Sequence, residues 1–289
     1  MRKDITPQSP TARPGTLYVV ATPIGNLEDI TLRAIRILGE VDGIAAEDTR
    51  HTRKLLSHLG ISKPLLSYYK DKEVSRGEQI LDRLRNGEDI ALVSDAGTPA
   101  ISDPGHIITR IAHDAGIRVV PIPGPSALTA ALSVAGLTTG AFLFLGFLPS
   151  RSAARRRFLK TIAHHPYSCI FYESPQRLPA CLQDCYEILG ERSIFWGREL
   201  TKVHEEMQIS TLARLAAETA TRRIRGESVI IIQGKEAEEK LASEELDELL
   251  AWYNTETDLS LKDAVRKVAE DLDLPRSAVY KKALGIWKG

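Results

Sequence analysis

Asp95 and Asp103 stand in a twelve-residue stretch, Ser94-Asp-Ala-Gly-Thr-Pro-Ala-Ile-Ser-Asp-Pro-Gly105, that also carries two glycines and two prolines. Proline stiffens such a loop, glycine lets a ligand approach its backbone, and the carboxylates suit a cationic or neutral ligand. The stretch has no Lys, no Arg and no Gly-Lys-Ser/Thr string, so it is not built to hold a phosphate chain. Five other short segments place polar residues in similar settings: Pro23 to Asn26, Glu47-Asp-Thr-Arg50, Gly124-Pro-Ser126, Tyr172-Glu-Ser-Pro175 and Arg198-Glu-Leu-Thr-Lys202. Each has a plainer use on its own. Thr22-Pro23 turns the chain, and Asp48 and Ser126 each precede a predicted helix that they would cap. Six such segments in one chain are harder to dismiss together, and a shared site where their loops converge is expected.

The elements that must position these loops are legible as pattern. Thr16 to Ala21, Gly43 to Ala46, Leu65 to Tyr68, Ile90 to Val93 and Arg118 to Ile122 are apolar runs of strand length. Between them fall helical patterns over Ile30 to Leu38 (stopped by Gly39), Thr49 to Leu59 (ended by Gly60), Arg76 to Arg85 and Ile107 to Ala115. Nearly all-apolar strands alternating with helices predict a parallel sheet covered on both faces, which binds ligands beyond the carboxyl ends of its strands. Pro121-Ile-Pro-Gly-Pro125 reads as a boundary that neither strand nor helix continues. Beyond it come a helix over Ala127 to Val134 and a second α/β unit with strands at Phe142 to Phe147, Ser168 to Tyr172, Ile194 to Gly197 and Ser228 to Gly234. The expected organisation is a disordered, proline-bearing leader (1–14), two α/β domains (15–123 and 124–235) and a helical tail (236–289). In the tail, Leu261 to Asp271 and Pro275 to Leu284 are joined by Leu272-Asp-Leu274, a spacing that suits a helix-turn-helix and equally a plain helical hairpin.

At 289 residues and 43% hydrophobic, the chain is long enough for two packed domains and an appendage. Three cysteines argue for a reducing cytoplasm, and Cys181 and Cys185 read as small buried residues of one helix face. No apolar run reaches the ~18–20 residues that span a bilayer. The net charge is zero, yet the charges are segregated: Arg151 to Lys160 holds five bases and no acid, and Glu236 to Asp258 holds nine acids and one base. A neutral sum built of blocks can hide a basic groove. Dinucleotide, Walker, nucleophile-elbow and zinc-protease strings are all missing, and the seven histidines define no metal site.

Eight collinear strings, spanning about Gly15 to Gly234, resemble one family. They are Thr22-Pro-Ile-Gly-Asn26, Ala46-Glu-Asp-Thr-Arg-His-Thr52, Ser94-Asp-Ala-Gly-Thr-Pro99, Asp103-Pro-Gly105, Pro123-Gly-Pro-Ser126, Gly146-Phe-Leu-Pro149, Phe171-Tyr-Glu-Ser174 and Arg198-Glu-Leu-Thr-Lys202. They look like the bacterial 16S rRNA cytidine 2′-O-methyltransferases of the tetrapyrrole-methylase superfamily. The resemblance implies two α/β domains, S-adenosylmethionine in the cleft between them, a homodimer, and rRNA or the small ribosomal subunit as partner, with no metal and no membrane. The family's pattern carries cofactor contact to Pro23, to Asp95, Ala96, Gly97 and Thr98, to Ser126 and Ala127, and from the second domain to Tyr172, Arg198 and Thr201. One departure is the string Tyr68-Tyr-Lys-Asp-Lys-Glu73, where the family shows a His-containing, Asn-ending string.

Methyl transfer to a ribose hydroxyl is an in-line displacement that needs alignment and a group to take the proton. Asp48, Glu47, Glu199 and Lys202 are the candidates for that group or for charge stabilisation, with Glu47 and Asp48 alternatively holding Arg50. RNA phosphates would meet Arg50, His51, Arg53, Lys54, Arg155, Arg156 and Arg157, with Lys281 and Lys282 in the tail. The rival readings are a small-molecule (precorrin-type) methyltransferase of the same superfamily and a non-enzymatic nucleic-acid binder working through the tail.

Overall fold

The computed structural model describes residues 13–137, 140–235, 239–272 and 274–287; residues 1–12 of the predicted leader lie outside them. β1 (Thr16–Val20), β2 (Gly43–Ala46), β3 (Leu65–Ser67), β4 (Ile90–Val93) and β5 (Arg118–Ile122) form an all-parallel sheet in the order β3-β2-β4-β1-β5. The connecting helices are α1 (Leu32–Glu40), α2 (Thr49–His58), α3 (Glu73–Arg85) and α4 (His106–Asp114). One face of the sheet packs Leu17, Ile90 and Leu92 on Ile80, Leu84 and Ile108 of α3 and α4. The other packs Val20, Ile44 and Val93 on Ile37, Leu38 and Leu56 of α1 and α2. The strands read as apolar throughout because both faces are covered.

β5 has the predicted bounds with Pro121 inside it, because this is an edge strand bonded to β1 alone and the missing N–H is tolerated there. Two details differ from the sequence expectation. Gly39 does not stop α1, which runs to Glu40; a glycine costs a helix only about 1 kcal/mol, and the burial of Ile37, Leu38 and Val41 outweighs it. Helix α3 begins at Glu73, three residues early. The buried Glu73 carboxylate accepts from the Gly105 amide (2.8 Å) and the Tyr68 hydroxyl (3.2 Å), and that hydroxyl accepts in turn from the Ile108 amide (3.2 Å). The Tyr68–Glu73 string thereby anchors the loop that carries Asp103.

After α5 (Ala127–Val134), the second sheet joins β6 (Phe142–Phe147), β7 (Ser168–Glu173), β8 (Ser193–Arg198), β9 (Glu206–Thr211) and β10 (Ser228–Ile232) in the order β6-β7-β10-β8-β9. Among its hydrogen-bonded pairs, that of β6 with β7 is parallel and the rest are antiparallel. Helices α6 (Ser152–Ile162), α7 (Leu178–Leu189) and α8 (Leu212–Thr221) cover one face through Leu159, Leu182 and Leu215, while α5 covers the other through Ala131 and Ala135. Cys181 and Cys185 are fully buried in the first of these cores, and all three cysteines are free. Both sheets belong to one compact unit that ends at Gly234; Lys235 onward forms another. In that second unit α9 (Glu239–Glu256), α10 (Leu261–Asp271) and α11 (Arg276–Ile286) share a small core of Leu250, Val265, Val268, Val279 and Ala283. Lys282 is engaged there by Asp247 at 2.8 Å.

Candidate active site

The loops after β1, β2, β4 and β5 leave the same edge of the parallel sheet and are fastened to one another. Thr22 and Gly97 exchange reciprocal backbone hydrogen bonds of 2.9 Å, which joins the loops of β1 and β4. The Asp48 amide donates to Asp95 Oδ1 at 3.0 Å, tying the start of α2 to the same loop. Thr98 Oγ1 donates to the Pro125 carbonyl at 3.4 Å, adding the loop that precedes α5. Gly97 stands at φ +75°, a conformation that side chains other than glycine's adopt only at a cost.

Opposite these loops lie the ends of β7 and β8 and the start of β10, brought level because Ser228 is in register with both Glu173 and Arg198. The turn after β8 is strained: Glu199 and Thr201 hold φ of +51° and +67° without being glycine. The Glu199 amide donates to the Glu227 carbonyl at 3.1 Å, and Lys202 Nζ donates to Glu199 Oε1 at 2.7 Å. Gly226 makes room for this arrangement, since a Cβ there would lie 2.3 Å from Glu199 Cγ, Cδ and Oε1. Gly25 does the same across the gap, where a Cβ would fall 2.9 Å from the Leu200 carbonyl oxygen.

A cleft of about 310 Å³ opens between the two sets of loops. Five carboxylates line it, from Glu47, Asp95, Asp103, Glu199 and Glu227, against one ammonium, that of Lys202. Ile24, Ala96, Gly97, Thr98, Ser126, Ala127, Phe147, Tyr172 and Leu200 complete most of the wall. Burial, then the charges of Asp103 and Asp95, push the Glu47 carboxyl above its ordinary range. Burial, then Asp95 and Glu227, do the same to Asp103. The Tyr172 phenol is pushed up to about 12, chiefly by burial; Phe144 and Phe147 pack edge-on against its ring. A smaller hollow of about 150 Å³ adjoins the cleft, and Asp95 borders both.

The sequence profile described as Tetrapyrrole (Corrin/Porphyrin) Methylases matches residues 16–216. The chain belongs to the tetrapyrrole methylase family. It is 48% identical over 270 residues to the protein of Xylella fastidiosa (strain Temecula1) named ribosomal RNA small subunit methyltransferase I, covering 92% of this chain and 98% of that one. The Pseudomonas aeruginosa protein of the same name is 46% identical, with 93% and 97% covered. The fold is shared with the methyltransferase CobJ (TM-score 0.59, 18% identity, 76% of this chain and 95% of that one). It is shared too with a uroporphyrin-III C-methyl transferase from Thermus thermophilus complexed with S-adenosyl homocysteine (TM-score 0.56, 19% identity, 76% and 97%).

In this methylase the cleft brings together Asp95, Ala96, Gly97, Thr98, Ser126, Ala127, Tyr172, Glu199 and Lys202 from the sequence-predicted set. Pro23 lines the smaller hollow instead. Thr201 is absent from the cleft wall and buries its Oγ1 without a hydrogen-bond partner. Arg198 also turns elsewhere: its guanidinium binds Glu206 (Nε to Oε2, 2.9 Å) and the Arg225 carbonyl (3.1 Å). Two expectations are corrected. Asp48 is a helix cap whose carboxylate accepts from the Arg50 amide (2.8 Å) and from Arg50 Nε (3.1 Å) and Nη2 (2.9 Å). Those bonds lower its pKa to about 2, which makes it a poor proton acceptor. Arg155 cannot grip RNA, because it is 2% exposed and donates from Nε to Asp184 Oδ2 at 2.8 Å. Its neighbour Arg156 is half-buried on Asp184 and Glu187, while Arg157 is exposed, as are Arg50, His51, Arg53 and Lys54 on α2.

Glu227 is a site residue that the sequence reading missed, whereas Asp103 was read as a ligand-facing carboxylate with no role assigned, ten residues past the end of β4. Glu227 precedes β10, and the beginning of that strand reaches the cleft only because β10 runs antiparallel to β7 and β8. A parallel second sheet would have placed it at the far edge.

Proposed function

We propose that this methylase transfers a methyl group from S-adenosylmethionine to the ribose 2′-oxygen of a cytidine in the 16S rRNA of the small ribosomal subunit, as a cytoplasmic homodimer. The observation that carries the reading is the charge of the cleft, five carboxylates against one lysine, beside a helix whose exposed Arg50, His51, Arg53 and Lys54 suit an RNA backbone. The name of the relatives points the acceptor toward small-subunit rRNA.

The residues fit the donor. Carboxylates match a sulfonium cation, the Ala96–Thr98 backbone offers donors and acceptors to an adenine, and Ser102 Oγ on the cleft wall is left without a partner. Bound there, S-adenosylmethionine supplies an electrophilic methyl carbon on a cationic sulfur. The chain's own work is to align a ribose hydroxyl with that carbon, which is worth about 7–11 kcal/mol for a well-placed pair. Glu47, held by burial and by its acidic neighbours above the ordinary carboxylate range, accepts the hydroxyl proton. Lys202, steadied by Glu199, stabilises negative charge as it develops on the oxygen. Phosphates on either side are gripped by Arg50, His51, Arg53 and Arg157. A 2′-hydroxyl is a group that RNA presents and DNA lacks.

A dimer is supported by Val134, Phe142, Met207 and Ile209, exposed apolar residues on α5 and on the two opposite edge strands of the second sheet. A reducing compartment is supported by three free, buried cysteines. No helix among the described residues is long and apolar enough to cross a membrane.

Small ribosomal subunits and naked 16S rRNA are incubated with methyl-labelled S-adenosylmethionine and the RNA is digested and mapped by mass spectrometry. One 2′-O-methylcytidine is expected, with a rate that falls steeply between about 50 and 200 mM salt. Transfer to a tetrapyrrole instead of RNA, or an activity indifferent to salt, would overturn the assignment.

A further inference from the structure

The hollow beside the cleft has apolar walls from Pro23, Leu27 and Leu55, the exposed side chains of His51 and Lys54, and the shared Asp95. We propose that it is a base pocket: it takes the pyrimidine of the acceptor nucleotide, unstacked from the RNA, and the Asp95 carboxylate selects cytosine over uracil. The assignment rests on the RNA methylation proposed above.

Size limits the occupant first. About 150 Å³ is the size of an apolar cavity that accepts one benzene ring, so a single pyrimidine fills the hollow and a fused purine overhangs it. The walls are suited to the faces of such a ring. Leu27 is 41% exposed and Pro23 is half-buried, so together they leave uncovered apolar surface on which a base can lie. Polarity then limits which pyrimidine. A carboxylate only accepts hydrogen bonds, so it pairs with the exocyclic amine of cytosine and repels the carbonyl that uracil carries in its place. Asp95 is held ready for that contact, since Oδ1 accepts the Asp48 amide at 3.0 Å and Oδ2 is left to accept from a ligand.

Location completes the case. A nucleotide with its base in the hollow carries its ribose beside Asp95, which is also the border of the methyl-donor cleft. The adjacent phosphates then run along α2, where Arg50 and Arg53 lie to one side of His51 and Lys54. The reciprocal Thr22–Gly97 bridge holds the two walls in place, so the pocket needs little ordering when the base arrives.

The test uses the full chain and small subunits bearing cytidine, uridine or adenosine at the mapped acceptor position. Wild type is expected to prefer cytidine to uridine by about 5- to 150-fold in kcat/KM, the range that a good polar contact to a base supplies. Asp95→Asn should bring that ratio to within about threefold of unity, since an amide both donates and accepts. Because the ratio is taken within one enzyme, a weakened cofactor site or a less stable fold cancels from it. Leu27→Trp fills the hollow and should abolish RNA methylation while calorimetry with S-adenosylhomocysteine shows affinity within about twofold of wild type. An Asp95→Asn enzyme that keeps the wild-type ratio, a Leu27→Trp enzyme with wild-type kcat/KM, or adenosine methylated as well as cytidine would each overturn the pocket. A wild type that binds the donor but methylates no RNA would instead sink the parent reading, a result distinct from all three.

Discussion

Replacing Gly226 by alanine, with Gly60→Ala as its companion, separates backbone strain from the placement of Glu199. Both glycines hold positive φ, +76° and +69°. An L-residue in that region costs about 1–2 kcal/mol. A methyl group at position 60 meets open space, whereas one at 226 falls 2.3 Å from Glu199 Cγ, Cδ and Oε1. The Glu199 amide is held by the Glu227 carbonyl, so the side chain must turn away and its 2.7 Å pair with Lys202 opens. Each variant should lose about 1–2 kcal/mol from strain; at about 2–4 °C per kcal/mol for a unit of this size, melting falls by about 2–8 °C. Turnover should divide them. A catalytic group displaced by about 1 Å costs on the order of 10²-fold, so Gly226→Ala should lose about that much in single-turnover methyl transfer at saturating donor. Gly60→Ala should stay within about twofold of wild type. Equal turnover in the two variants would refute the role given to the Glu199–Lys202 pair.

Four further outcomes follow from the same geometry. Glu47 accepts a proton only when ionised and its carboxyl is raised, so wild-type turnover should fall as pH drops through a value above the ordinary carboxylate range; Glu47→Gln should lose about 10²–10⁴-fold and flatten that limb of a pH–rate profile. The raised Asp103 holds its proton more tightly folded than unfolded, so its contribution to stability falls as pH rises from 3.8 through the folded value. Asp103→Asn should therefore melt higher than wild type at pH 7, with the gap closing below pH 3.8 in thermal scans across pH. Arg155→Ala leaves the buried Asp184 with only Ser152 and the half-buried Arg156, and should cost about 1.5–3 kcal/mol in denaturant melts while leaving the salt slope of RNA methylation unchanged. Arg157→Ala should do the reverse, lowering the slope by about one with little loss of stability.

The parallel half of the fold was legible because its information is local: the apolar runs of β1, β4 and β5 are each followed by a Gly- and Pro-bearing loop, and the strand's direction fixes the edge that loop occupies. The helix over Ala127–Val134 and the tail helix over Leu261–Asp271 have the predicted bounds for similar reasons, a boundary residue beside a clean pattern. The antiparallel half was not legible in the same way. β9 reads Glu-Met-Gln-Ile-Ser-Thr, and as an edge strand it leaves Met207 and Ile209 exposed, so no covered face marks it. Arg155 illustrates a different limit. In sequence it is one of five bases in a run, and only the packing of α6 on α7 puts Asp184 beside it. Asp48 and Glu47 are chain neighbours with opposite titration behaviour, set by a guanidinium two residues on in one case and by burial, then by acids far along the chain, in the other.

The 3.0 Å bond from the Asp48 amide to the Asp95 carboxylate has a thermodynamic consequence. It makes the first turn of α2 and the donor-facing loop parts of a single mechanical unit, so whatever one ligand does to that bond the other ligand feels. Linkage then requires symmetry: if occupied RNA tightens the hold on the methyl donor by some factor, the donor tightens the hold on RNA by the same factor. If S-adenosylmethionine is held against the cleft carboxylates, loss of its sulfonium charge on transfer would weaken that hold and, through the same linkage, the hold on the RNA.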